Sequence, residues 1–93
     1  MDNLDEAREA INHVDAQMAA LFAERMATVA HVAAYKAEHN LPIVDEQREQ
    51  QVLERNAELV NEEIRPYYLH VLEATMEASR RYQQHLIESA DNA

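Results

Sequence analysis

The sequence predicts an all-α protein of three helices, one long and N-terminal and two shorter, with the long helix pairing against a second copy of the chain. Three observations predict it. Among 93 residues there is no glycine and there are only two prolines, which leaves little turn chemistry and suits a chain that is helical nearly throughout. A seven-residue apolar repeat runs through the first 39 residues. One seam position holds Leu4, Ile11, Met18, Arg25 and Val32, and the other holds Ala7, Val14, Leu21, Thr28 and Tyr35. A helix of that length spans roughly 54 Å, far more than a compact domain of this size needs.

The first helix is expected from about Leu4 to His39. Asn40 can take the left-handed conformation at its end, and Pro42 stops it from continuing. Asp45 is a natural N-cap for a second helix, with Glu46 in its first turn, so that helix is expected over about 45–61. It carries Val52, Leu53, Asn56, Leu59 and Val60 on one side. Pro66 suits the first turn of a third helix, expected over about 66–88, whose stripe includes Val71, Leu72, Thr75, Ser79, Tyr82 and Leu86. No repeat, low-complexity tract or linker divides the chain, so residues 1–93 read as one domain. Two short helices can lie along only part of the first. The remaining apolar surface calls for a homodimer in which the long helices pair through the seam.

The bulk numbers exclude several function classes. A hydrophobic content of 47% rules out a disordered chain, and no apolar run is long enough to cross a membrane. The acidic start, Met1-Asp2-Asn3-Leu4-Asp5-Glu6, has no apolar segment and is unlike a signal peptide. The absence of cysteine removes disulfide and thiolate chemistry and fits a cytoplasmic protein. A net charge of −10 argues against nucleic acid or an anionic membrane as partner. A small anion is compatible with it only where the eight cations converge: Arg8, Arg25, Lys36, Arg48, Arg55, Arg65, Arg80 and Arg81.

Arg25 stands where the repeat calls for an apolar residue. A guanidinium cannot lose its proton and is costly to bury unpaired, so it must meet a carboxylate or an anionic ligand. Lys36 lies close to three turns further on, about 17 Å along the same face, a gap that two long side chains can close around a compact ligand. Arg8 is roughly 26 Å from Arg25 on the same rod. It can join a site with Arg25 only from the other protomer of an antiparallel pair. On the second helix Asp45 and Glu49 continue the stripe, with Arg48 beside them. On the third, Ser79 and Gln83 interrupt it. Three coordinated interruptions suggest a shared polar cavity.

Taken singly, each has an ordinary structural use. Arg25 with Glu49 would make a register-setting ion pair, Lys36 would complement the helix dipole, and Asp45 would be a cap. Arg48 and Glu49 would be a solvated face, and Ser79 with Gln83 an interhelical hydrogen-bond pair. Periodicity alone leaves the two readings level. The five histidines form no i,i+4 metal pair, and no phosphate-binding glycine loop exists, so neither metal nor cofactor is expected.

The ordered set Arg8-x-x-Ile11-x-x-x-Asp15, Glu24-Arg25-Met26, Tyr35-Lys36, Asp45-x-x-Arg48-Glu49 and Ser79-x-x-x-Gln83 resembles the all-helical class of chorismate mutases, from about Leu4 to Leu86. The resemblance implies an intertwined dimer of three helices per chain. It also implies an isomerase of the shikimate pathway, rearranging chorismate to prephenate in phenylalanine and tyrosine biosynthesis. Carried over residue by residue, it makes Arg25 and the partner's Arg8 clamps for the two substrate carboxylates. Lys36 and Gln83 would reach the ether oxygen of the breaking bond. Asp45, Arg48 and Glu49 would hold the ring hydroxyl, and Ser79 would add a carboxylate contact. The stretch from Val60 to Tyr68 is compact compared with many relatives, so the turn between the second and third helices does not carry over.

Three other readings stand beside this one. An isochorismate pyruvate lyase on the same fold resembles the chain through its two arginines, lysine and glutamine; the Asp45, Arg48 and Glu49 cluster favours the mutase. A non-catalytic dimeric binding or regulatory module has no need of Lys36 and Gln83 on apolar faces. A plain coiled-coil scaffold leaves the interruptions on the second and third helices unexplained.

Overall fold

The computed structural model describes residues 3–91, and within them the chain forms three helices: α1 (Leu4–Glu38), α2 (Glu46–Ala57) and α3 (Arg65–Asp91). Met1 and Asp2, the beginning of the acidic stretch expected not to be a leader, lie outside the described residues, as does the far end of the expected 1–93 domain.

Local chemistry sets the helix ends. The Asn3 side chain accepts the Glu6 amide at 2.8 Å, and Asp5 and Glu6 lie in the electropositive first turn of α1. At the other end Asn40 is left-handed, with φ 55°. The Leu41 amide bonds back to the Lys36 carbonyl at 2.8 Å and the Asn40 amide to Ala37 at 3.5 Å, a Schellman stop built on asparagine in a chain without glycine. Asp45 accepts the Arg48 amide at 3.0 Å and caps α2.

The sequence carries the second helix to about Asn61, but α2 ends at Ala57. The reason is Arg65. Its guanidinium reaches back to the Ala57 carbonyl at 2.6 Å and the Val60 carbonyl at 3.2 Å, satisfying groups that further helix would otherwise have bonded. Asn61 then accepts the Ile64 amide at 3.2 Å and leads the chain into α3, which starts at Arg65 and runs on to Asp91.

Helix α3 packs against both α1 and α2, while α1 and α2 make no close backbone approach. Along α1 the packing is uneven. Every residue from Ile11 to Glu24 is exposed; burial begins at Arg25 and Met26 and continues through Val29, Ala30, Ala33 and Lys36. That packed stripe is not the heptad seam. Of the ten seam residues, only Ala7 and Arg25 are even partly covered, and Leu21 is 63% exposed. The chain measures 54 × 29 × 14 Å with a radius of gyration of 16.7 Å, against about 12 Å for a compact chain of this length. Its accessible surface of 7413 Å² likewise exceeds the roughly 5,500 Å² of a compact monomer of this mass.

Candidate active site

Half of the residues that the chain buries are polar. Only Ala33, Met76, Ser79 and Gln83 are buried among the described residues, and two of these four carry hydrogen-bonding side chains. Their placement follows from helix geometry. Ser79 and Gln83, one turn apart on α3, share a face with Thr75 and Met76 and meet the C-terminal half of α1.

Arg25 of α1 donates to the Ser79 hydroxyl. That hydroxyl has one proton, and it goes to the Thr75 carbonyl at 2.9 Å, so its oxygen is free to receive the guanidinium. Glu49 of α2 is reached by Arg80, the next residue of α3, in an ion pair that is about two-thirds to three-quarters shielded from water. A cation from α1 and a carboxylate from α2 therefore converge on consecutive residues of one α3 turn, whose next inward residue is Gln83.

Gln83 is 6% exposed, and its amide oxygen has no partner among the described residues. Leaving such a group unsatisfied costs about 1–3 kcal/mol. A half-turn of the amide presents its two N–H donors at the same place, so the position can serve an acceptor as well as a donor. Lys36, half-buried near the end of α1, gives one N–H to the Ile43 carbonyl at 2.7 Å and ties down the loop between α1 and α2. Two ammonium donors remain.

Arg25 and Arg48 line one groove of about 510 Å³ between the three helices, together with Arg55 and an apolar floor that includes Phe22, Val52 and Leu72. Glu49 and Arg80 face the neighbouring cleft between α2 and α3, of about 440 Å³. Asp45 is exposed, and one of its oxygens is committed to the α2 cap. Arg8 is exposed on the far half of α1, about 26 Å from Arg25. One chain thus gathers Arg25, Ser79, Gln83 and Glu49 around one α3 turn. It leaves Arg8 apart, with Lys36 and Asp45 at the α1–α2 loop.

One expectation changes, and one residue is added. The Arg25–Glu49 pair does not form, because Arg25 is taken by Ser79 and Glu49 by Arg80. Arg80 itself was missed. Its only sequence signal is its place between Ser79 and Gln83, and it sits beside Arg81, which makes an ordinary exposed i,i+4 pair with Glu77 at 2.9 Å.

A family model described as chorismate mutase type II matches residues 7–84, most of the chain. The protein belongs to the type II chorismate mutase family. No curated protein and no solved structure gives a significant match. A chorismate mutase fold without strands agrees with the three helices described, and the matched span runs from α1 through Gln83, enclosing all the residues gathered here. No helix among the described residues is long and apolar enough to cross a membrane.

Proposed function

We propose that this protein is a working chorismate mutase that converts chorismate to prephenate by an intramolecular [3,3] rearrangement. One carbon–oxygen bond breaks as one carbon–carbon bond forms, and no proton, nucleophile, cofactor or metal is consumed. The protein's task is to hold the folded conformer of a dianion and to stabilise charge gathering on the ether oxygen. The observation that carries this reading is the buried Gln83 amide, whose oxygen has no partner among the described residues, one turn from the Ser79–Arg25 contact. A neutral donor there, with Lys36 as a permanent cation, suits an oxygen that becomes negative only in the transition state. Arg25 clamps one substrate carboxylate with Ser79 beside it, Arg48 adds a cation at the groove, and Asp45 and Glu49 receive the ring hydroxyl.

The active form is a homodimer in which Arg8 of each chain completes the site of the other. The bare seam of α1 supports this, as does a surface roughly 1,900 Å² larger than a compact monomer exposes, an excess per chain that suits an obligate interface. Charge complements shape. The N-terminal turns of α1 carry Asp5 and Glu9 beside Leu4 and Ile11, and the groove that would receive them offers Arg25, Arg48 and Arg55 over an apolar floor. Antiparallel pairing about a point midway between Arg8 and Arg25 brings those two arginines together from opposite chains. The setting is cytoplasmic phenylalanine and tyrosine biosynthesis.

The test is to offer the purified protein chorismate and isochorismate separately and identify the products by chromatography. Prephenate from chorismate is the expected result. Pyruvate and salicylate from isochorismate alone would make the protein a lyase on the same fold. A folded dimer that turns over neither substrate would make it a binding module.

A further inference from the structure

Arg80 contacts a residue of the proposed site, yet the mutase reading gives it no role. Its guanidinium donates to Oε1 of Glu49, and Oε2 of that carboxylate has no hydrogen bond within the described residues. The surroundings are otherwise acidic. The cleft that Glu49 faces is also lined by Glu73 and Glu77, and Arg80 is its only permanent cation, with His70 further along α3. Glu49 is 26% exposed and Arg80 31%, an ion pair open enough to add little to folding stability.

From this, and resting on the mutase reading above, we infer that Arg80 is a positioning residue for Glu49. It holds one carboxylate oxygen, leaving the other as the acceptor for the substrate's ring hydroxyl, and it cancels the charge that a dianion would meet there. A bare carboxylate beside a doubly negative substrate repels it at every approach. Paired with Arg80, Glu49 keeps its lone pairs while the pair as a whole is neutral. Arg80 thereby governs how well the site recognises a hydroxyl-bearing ring, and it contributes nothing directly to the ether oxygen, which belongs to Lys36 and Gln83. Its effect falls on substrate binding and selectivity, not on the chemical step.

The experiment is steady-state kinetics on the full-length protein, comparing wild type with Arg80→Leu, Arg80→Lys, Glu49→Gln and the Glu49→Gln/Arg80→Leu double variant. Each is assayed on chorismate and on a chorismate analogue lacking the ring hydroxyl, with thermal unfolding alongside. Arg80→Leu is expected to raise KM for chorismate about tenfold with kcat and Tm nearly unchanged, which corresponds to one lost charge-compensating contact. Arg80→Lys should recover at least half of the loss, because a single N–H···O contact needs a cation more than a planar fork. In the Glu49→Gln background the leucine substitution should change little, since no charge remains to be cancelled. Selectivity for the hydroxylated substrate should shrink in Arg80→Leu. Kinetics like wild type, or an equal loss with either residue at 49 and with either substrate, would overturn the inference while leaving the mutase intact. A wild type that does not turn over chorismate would overturn both. Should Arg80→Leu unfold, Arg80→Lys and Glu49→Gln still decide through the KM and kcat split.

Discussion

The two halves of α1 share one helix and one apolar repeat, yet they live in different surroundings. From Arg25 onward the helix buries a stripe against α3, and Ala33 is only 2% exposed. From Ile11 to Glu24 every residue of the same helix is exposed, and Ile11 is 57% exposed. The stripe that packs within the chain and the seam laid down by the repeat lie on adjacent faces, and Arg25 stands at their border. A helix with two apolar faces has two partners to satisfy. α3 covers one, and a second copy of the chain is proposed for the other. Of the residues proposed for the site, Arg25 falls where the two faces meet.

The largest expected effect tests the packed half. Arg25→Ala should lower kcat/KM for chorismate about a thousandfold with modest change in Tm, because a fixed charge-assisted donor is lost while Ser79 keeps its bond to Thr75. Activity within tenfold of wild type would remove Arg25 from the site. Gln83→Glu should be nearly inactive at neutral pH and regain activity as the solution is made acidic, since only a protonated carboxyl can donate to the ether oxygen. A pH profile parallel to wild type would take Gln83 out of that role.

The bare half gives the next effect. Leu21→Asp places a charge on a residue already 63% exposed in the protomer, so an isolated chain should tolerate it. In a dimer sealed through the seam it should shift the sedimentation coefficient to that of a monomer and abolish turnover together. A dimer that survives would move the interface elsewhere. The smallest effect is expected at the loop. Asp45→Ala removes the α2 cap and should cost about 1 kcal/mol, or roughly 4–8 °C in Tm by calorimetry.

What was legible in the sequence follows the same division. The helix order, the asparagine stop at Asn40 and the Asp45 cap are local events, fixed by residues within one turn of each other. The inward face of Ser79 and Gln83 was legible because helical period alone assigns it. Pairings between helices were less so. Whether Glu49 meets Arg25 or Arg80 depends on where α2 lies along α3, and a repeat specifies rotation about an axis without specifying that offset. The early end of α2 was hidden for a related reason. It depends on Arg65 reaching back eight residues to the Ala57 carbonyl, a tertiary cap with no local signature. The seam's exposure could not be read either, since a periodic pattern shows that a face needs cover and does not show which chain supplies it.

Mixed dimers join the two halves of α1 in one measurement. Arg8→Ala and Lys36→Ala chains, each inactive alone, are refolded together in equal amounts and assayed on chorismate. If the bare half of one chain completes the packed half of the other, each heterodimer holds one site with both residues intact. Activity should then return to about a quarter of wild type. Heterodimers proven by mass spectrometry that remain inactive would show that Arg8 and Lys36 do not meet across chains.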